Sequence, residues 1–265
     1  MTTTPVGMRC PECAKQRTRV VRMRSLVTQP RVTYALIAIN VVVFLAEGRF
    51  SAAGGGGEGS VYRHGALLGS SQARGFEGEG VAHGQWWRIV TGGFLHANLL
   101  HIFFNMYILY LLGQMLEPAI GHVRFALVYL VALIAGSLGA LLLTPHAFTV
   151  GASGAVFGLM GAAAVETRAR RIPLMQSGIG VLIVINLLFS FTVSGISIGG
   201  HLGGLLGGAL AAGALQLGER HRSQALALAG CVALALVCFA GSVLTAKSSS
   251  AQAAAPGQVE LVPPE

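Results

Sequence analysis

Apolar residues along this chain fall in long runs divided by short polar or glycine-rich breaks, and seven runs have the scale of membrane helices. They cover about 32–46, 94–116, 120–143, 153–166, 174–193, 199–217 and 223–245. The first is marginal for the ~20 residues a bilayer requires, and the fourth is shorter still. A basic, polar stretch, 1–31, comes before them and has no apolar segment of the kind a cleavable signal needs, so none is expected. A long break separates the first two runs. Within it GGGGEGS (54–60) reads as flexible, and GQWWRIVTGGF (84–94) reads as interfacial because of Trp86 and Trp87. The last stretch, 247–265, is rich in Ala, Ser and Pro and is expected to be disordered.

Composition agrees with the pattern. With 53% hydrophobic and 11% charged residues, the chain is read as a polytopic, all-α membrane protein. Of its 18 basic residues only Lys15 and Lys247 are lysines, and the net charge of +8 is mostly loop arginine. That arginine argues topology rather than nucleic-acid binding. With the N-terminus inside, thirteen of the 18 basic residues fall in inner segments, which predicts a cytoplasmic arm. All 10 acidic residues are glutamates. Without an aspartate the chain cannot be an aspartyl intramembrane protease, a Walker-type ATPase or a Ser-His-Asp hydrolase. It also lacks an HExxH zinc motif. A hydrolase built from these residues must rest largely on a serine and a histidine.

Two stretches offer such a pair. GASGAVFG (151–158) puts Ser153 among small residues where a short loop meets an apolar helix, with Gly154 and Gly158 forming a small-xxx-small ridge. Alone, this is better explained by plain helix packing. HLGGLLGG (201–208) opens another helix with His201 and repeats glycine at Gly200, Gly204 and Gly208, which gives the serine and the histidine a reason to meet. His201 can serve Ser153 as general base and later protonate a leaving amine; the alternative is a histidine that merely hydrogen-bonds a neighbouring helix. His101 and Asn105 share a helical face and can donate to an oxyanion, or can act as a polar clamp between helices. The Ser153 backbone N–H, in the first turn of its helix, is a third donor. Phe157 lies one turn after Ser153, where it either stacks on the imidazole or packs in the core. Spans two, four and six run from outside to inside, so all four polar residues fall in the outer half of the membrane. Span four, rising only ~21 Å against a ~30 Å core, must start in a depression open to water.

HANLLHIFFN (96–105), GASGAVFG and HLGGLLGG, in that order and spacing, resemble the rhomboid intramembrane serine proteases over roughly 33–218. The resemblance implies a six-helix bundle with one additional C-terminal transmembrane helix. It implies a Ser153–His201 dyad, an oxyanion site of His101 and Asn105, and a further histidine near the site, His96. The glycines Gly151, Gly154, Gly204 and Gly208 would support the site. WWRIVTGGFLH resembles the family's Trp-Arg loop, which would make Trp87 and Arg88 structural. Phe157 stands where relatives commonly carry tyrosine. The implied activity is endopeptidase cleavage of transmembrane substrate proteins within or beside their span, near the outer face of the plasma membrane. Substrates with helix-weakening residues at the membrane edge are expected, and the chemistry needs no cofactor.

The expected domains are an arm (1–31), a core (32–218), an extra transmembrane helix (219–246) and a tail (247–265). Cys10 and Cys13 form a CxxC, half of a four-ligand zinc site, resembling the end of a cysteine-rich module found before some bacterial rhomboids. Two other functions compete. A catalytically silent rhomboid-like protein that binds membrane clients is expected to have lost Ser153 or His201, and a transporter is expected to carry paired intramembrane charges.

Overall fold

Each apolar run forms a helix, and the ends fall where backbone chemistry stops them. The computed structural model describes residues 2–4, 7–9, 29–48, 59–71 and 78–254. Short strands β1 (Thr2–Thr4) and β2 (Gly7–Arg9) pair antiparallel before the helical body. α1 (Arg31–Glu47) begins after Pro30, which cannot donate, and stops at Gly48 in the left-handed region. The break that follows is structured in part: α2 (Ser60–Gly65), a 3₁₀ turn (Val81–His83), α3 (Arg88–Thr91) and a second 3₁₀ turn (Gly92–Phe94) precede α4 (Leu99–Ile120). The 54–58 part of the glycine run lies outside the described residues. A single glycine, Gly121 with φ +88°, separates α4 from α5 (His122–Leu143). Then come α6 (Ser153–Ala169), α7 (Ile179–Thr192), α8 (Ile198–Arg220) and α9 (Gln224–Ala254).

The seven expected runs are therefore seven helices with shifted ends. Span two starts at Leu99 rather than residue 94, because Asn98 caps the helix by accepting the His101 N–H at 2.8 Å. Span four has 17 residues rather than about fourteen, which still rises only ~26 Å. Span five shrinks to 14 residues, its start delayed by Pro173 and by Gly178 at φ +78°. The expectation of a disordered tail from residue 247 is corrected: α9 continues to Ala254, since Ala and Ser tolerate a helix and the Ser248 and Ser249 hydroxyls donate to the Thr245 carbonyl at 2.9 Å. Pro256 follows shortly after. Among the described residues, four helices (α4, α5, α8 and α9) are long and apolar enough to cross a bilayer. The chain is an all-α polytopic membrane protein.

The core is a junction of α5, α6 and α8 at backbone contact. Side chains added at Gly204 and Gly208 of α8 would collide with the Gly154 and Gly158 backbone of α6, a register that runs parallel. On its other side α8 meets α5 antiparallel, with Gly199 against Gly139 and Gly203 against Ala135. Because α6 and α8 run parallel, their N-termini emerge at the same end, and that end carries Ser153 and His201. α4 is tied to α1 by Glu117. This buried carboxylate accepts the Val32 and Thr33 N–H groups, both at 2.8 Å, and the Thr33 hydroxyl at 2.6 Å, so it caps the α1 N-terminus across the helix interface. α9 packs on α5 and α8 and reaches the Val81–His83 turn.

Candidate active site

Ser153 is the first residue of α6, and two features of the loop before it set its position. Gly151 adopts φ +125°, a conformation side chains rarely take, and its N–H donates to the Gly92 carbonyl at 3.0 Å. A Cβ there would lie 2.7 Å from the His101 Cε1 and Nε2 atoms and 3.6 Å from the Ser153 hydroxyl. Glycine is thus required for His101 to come in beside the serine. As a first-turn residue, Ser153 keeps its N–H clear of the intrahelical ladder, and the positive end of the α6 dipole points at the hydroxyl.

His201 lies one turn into α8. Ser197 caps that helix by accepting the Gly200 N–H at 3.1 Å, and the His201 N–H donates to the Ser197 carbonyl. Its Nε2 is 2.8 Å from the Ser153 hydroxyl oxygen. Phe157 stacks on the imidazole, with ring centroids 4.1 Å apart and planes 17° off parallel. Of the two readings of Phe157, the ring contact is the one seen, and the residue is buried as well. The other ring nitrogen, Nδ1, is 2.6 Å from the hydroxyl of Ser190 in α7, which itself donates to the Asn186 carbonyl at 2.7 Å. Ser190 was not anticipated. The signal for it was faint: Asn186 and Ser190, four apart, are polar positions on one face of an otherwise apolar helix.

His101 and Asn105 occupy the first two turns of α4. The Ala97 N–H donates to His101 Nδ1 at 3.4 Å, so the neutral ring carries its proton on Nε2, the atom beside Gly151. Asn105 spends one amide hydrogen on the His101 carbonyl at 2.9 Å and keeps a second. His96 is fully buried, its ring edge-on to His101 at 5.1 Å.

Arg88 is the knot of the loop rather than part of the serine site. Fully buried, it donates to the Arg63 and Ala66 carbonyls, each at 2.7 Å, and to Gln85 Oε1 at 2.7 Å, and it pairs with Glu79 at 3.4 Å. Burial lowers its pKa from the ordinary value, the Glu79 charge opposes the shift, and Arg63 adds to it. Trp87 is half exposed, with its indole N–H on the His64 carbonyl at 3.0 Å. Ser137 of α5 then pins the loop by donating to the Ile89 carbonyl at 2.7 Å. Among the described residues no cluster of three or more His, Cys or carboxylate groups could hold a metal ion. Cys10 and Cys13 lie outside the described residues.

A family model described as the rhomboid domain matches residues 83–217, just over half of the chain. The chain belongs to the rhomboid family. It is similar to Rhomboid protease GluP of Bacillus subtilis (strain 168), 40% identical over 158 residues, which is 56% of this chain and 31% of GluP. The rhomboid YdcA of the same strain is 39% identical over 135 residues, 49% of this chain and 68% of its own. Rhomboid-like protease 3 of Toxoplasma gondii is 35% identical over 151 residues, 54% of each. The chain thus spans only about a third of GluP. The rhomboid match contains Arg88, His96, His101, Asn105, Ser153, Phe157, Ser190 and His201, while the arm, α1, α2 and α9 lie outside it.

Proposed function

We propose that this rhomboid is an intramembrane serine endopeptidase that cuts transmembrane substrate proteins. The observation that carries the reading is the 2.8 Å approach of the Ser153 hydroxyl to His201 Nε2 beneath a stacked Phe157. Ser153 Oγ attacks the scissile carbonyl carbon as its proton passes to Nε2, and the carbonyl π electrons move onto oxygen. That oxyanion is met by the Ser153 N–H, by His101 Nε2–H and by the second amide hydrogen of Asn105, with the α6 N-terminus adding its dipole. The imidazolium then gives its proton to the leaving amine nitrogen as the C–N bond breaks and an acyl ester forms on Ser153. Water, deprotonated by His201, hydrolyses that ester and restores the serine. No step needs a metal or cofactor.

A substrate must present an unwound segment, because helical hydrogen bonds hide the carbonyls, so helix-weakening residues at the membrane edge are part of the proposal. The arginine distribution fits a cytoplasmic N-terminus with the Ser153 end of α6 toward the outer face, and the membrane proposed is the plasma membrane. The relatives named as proteases support the activity. A fluorophosphonate probe is expected to label wild-type protein in detergent and to leave Ser153→Ala unlabelled. Equal labelling of the two would move the reactive serine elsewhere.

A further inference from the structure

Serine hydrolases usually hold the base histidine with a carboxylate, and this chain has no aspartate to offer. Among the described residues no glutamate contacts His201; what meets Nδ1 is the hydroxyl of Ser190, itself almost fully buried. We infer that Ser190 of α7 is a positioning residue, holding the His201 ring in the tautomer whose bare Nε2 can take the Ser153 proton. The inference rests on the dyad reading above.

Proton counting carries the argument. A hydroxyl has one hydrogen to give. Ser190 Oγ stands 2.7 Å from the Asn186 carbonyl oxygen, a separation two oxygens hold only with a hydrogen between them, so the Ser190 proton is spent there. The 2.6 Å contact to His201 Nδ1 must then take its hydrogen from the ring: Nδ1–H donates and Ser190 accepts. A neutral ring with its proton on Nδ1 has a lone pair on Nε2, facing the Ser153 hydroxyl at 2.8 Å. The chain of donors runs Ser153 Oγ–H to Nε2, Nδ1–H to Ser190 Oγ, and Ser190 Oγ–H to the Asn186 carbonyl, each contact with one hydrogen. In the opposite tautomer Nε2–H would point at Ser153, and Ser190 would have to abandon Asn186 to serve Nδ1. That state cannot accept the nucleophile's proton.

The arrangement also reaches across elements. His201 lies on α8 between Phe157 of α6 on its face and Ser190 of α7 on its edge, so the ring is fixed in tilt by one helix and in rotation by another. When Nε2 takes the proton during attack, the Nδ1–H bond to Ser190 persists without rearrangement. The acceptor is neutral, so it orients the imidazolium without a compensating charge, unlike a carboxylate.

The test compares Ser190→Ala, Ser190→Thr and Ser190→Cys with wild type and with Ser153→Ala, all reconstituted with a model transmembrane substrate. Loss of one orienting hydrogen bond is expected to lower kcat about tenfold in Ser190→Ala with KM unchanged. Threonine keeps the hydroxyl and can still bond the carbonyl one turn back, so Ser190→Thr retains most of the turnover. Cysteine is near in size but a weak acceptor, and Ser190→Cys behaves like the alanine variant, which keeps the test decisive if Ser190→Ala does not fold. Nitrogen NMR of ¹⁵N-histidine-labelled protein is expected to show His201 protonated at Nδ1 in wild type and a mixture of tautomers in Ser190→Cys and Ser190→Ala. Wild-type kcat, or a lowered kcat with an unchanged tautomer, would overturn the role of Ser190 while Ser153→Ala stays inactive. Cleavage by Ser153→Ala would instead remove the dyad reading beneath it.

Discussion

Ser153 and His201 lie 48 residues apart, and each is brought to the other by a local device rather than by a strong bond between them. The serine is held by the left-handed Gly151, the histidine by the Ser197 cap and the Phe157 ring. These residues were legible in the sequence because a serine or histidine among glycines at a helix start is an uncommon pattern. Ser190 was not legible, since one serine in an apolar helix is ordinary and its meaning lies in which ring it meets. Glu117 escaped for the same reason: a lone glutamate near a helix end gave no hint of the α1 amides it caps. At this scale the oxyanion assignment can be checked directly. His101→Ala and Asn105→Ala are each expected to lower turnover about 10²-fold, as loss of one such donor does, with substrate affinity little changed. Steady-state kinetics on a transmembrane substrate separates the cases, because a clamp or a substrate contact would show in KM.

Between elements, the glycines set distance. Gly204 and Gly208 let α8 touch α6, and Gly199 and Gly203 let it touch α5, so one helix is held at backbone contact on two sides. The ridge toward α6 could be read from the fourfold spacing. The α5 face could not, because Gly136 and Gly139 are spaced by three and sit in a run of large apolar residues. Gly204→Val is expected to cut activity ~10²-fold, since a branched side chain against the Gly154 backbone forces the helices apart and a ~1 Å displacement at a reacting pair costs that much. Leu206→Val, an apolar change at an exposed position of the same helix, is expected to remain close to wild type. Assaying the two variants side by side, at matched expression, reads the effect of spacing apart from that of apolar substitution. Equal activity would show that the glycine ridge does not set the dyad distance.

For the whole molecule, hydrophobic runs located seven of the nine described α-helices, all but the short α2 and α3 of the loop, and mistook their ends. Runs report where apolar side chains lie, while ends depend on caps such as Asn98 and on tolerant residues such as those that carry α9 to Ala254. α9 packs against the Val81–His83 turn, in the loop that carries Arg88. The arm is a separate matter. Two thiolates supply half of the ligands of a structural zinc site. Of the nearest histidines read from the sequence as cytoplasmic, His122 lies against Glu117 at the start of α5 and His221 follows α8. Replacing Cys10 and Cys13 together with serine is therefore expected to leave membrane insertion and proteolysis intact, and the purified wild type is expected to carry no stoichiometric zinc. Elemental analysis giving one zinc per chain, or one per two chains, would contradict this.

The central claim is that Ser153 and His201 act as one catalytic unit, and a single comparison tests it most directly. Wild type, Ser153→Ala, His201→Ala and the double variant are reconstituted into liposomes with a model transmembrane substrate, and the cleaved product is followed over time. The account predicts product from wild type alone, with folded protein in every case and a double variant no worse than either single one, as for residues that act together. Product formed by Ser153→Ala, at a rate approaching wild type, would contradict it.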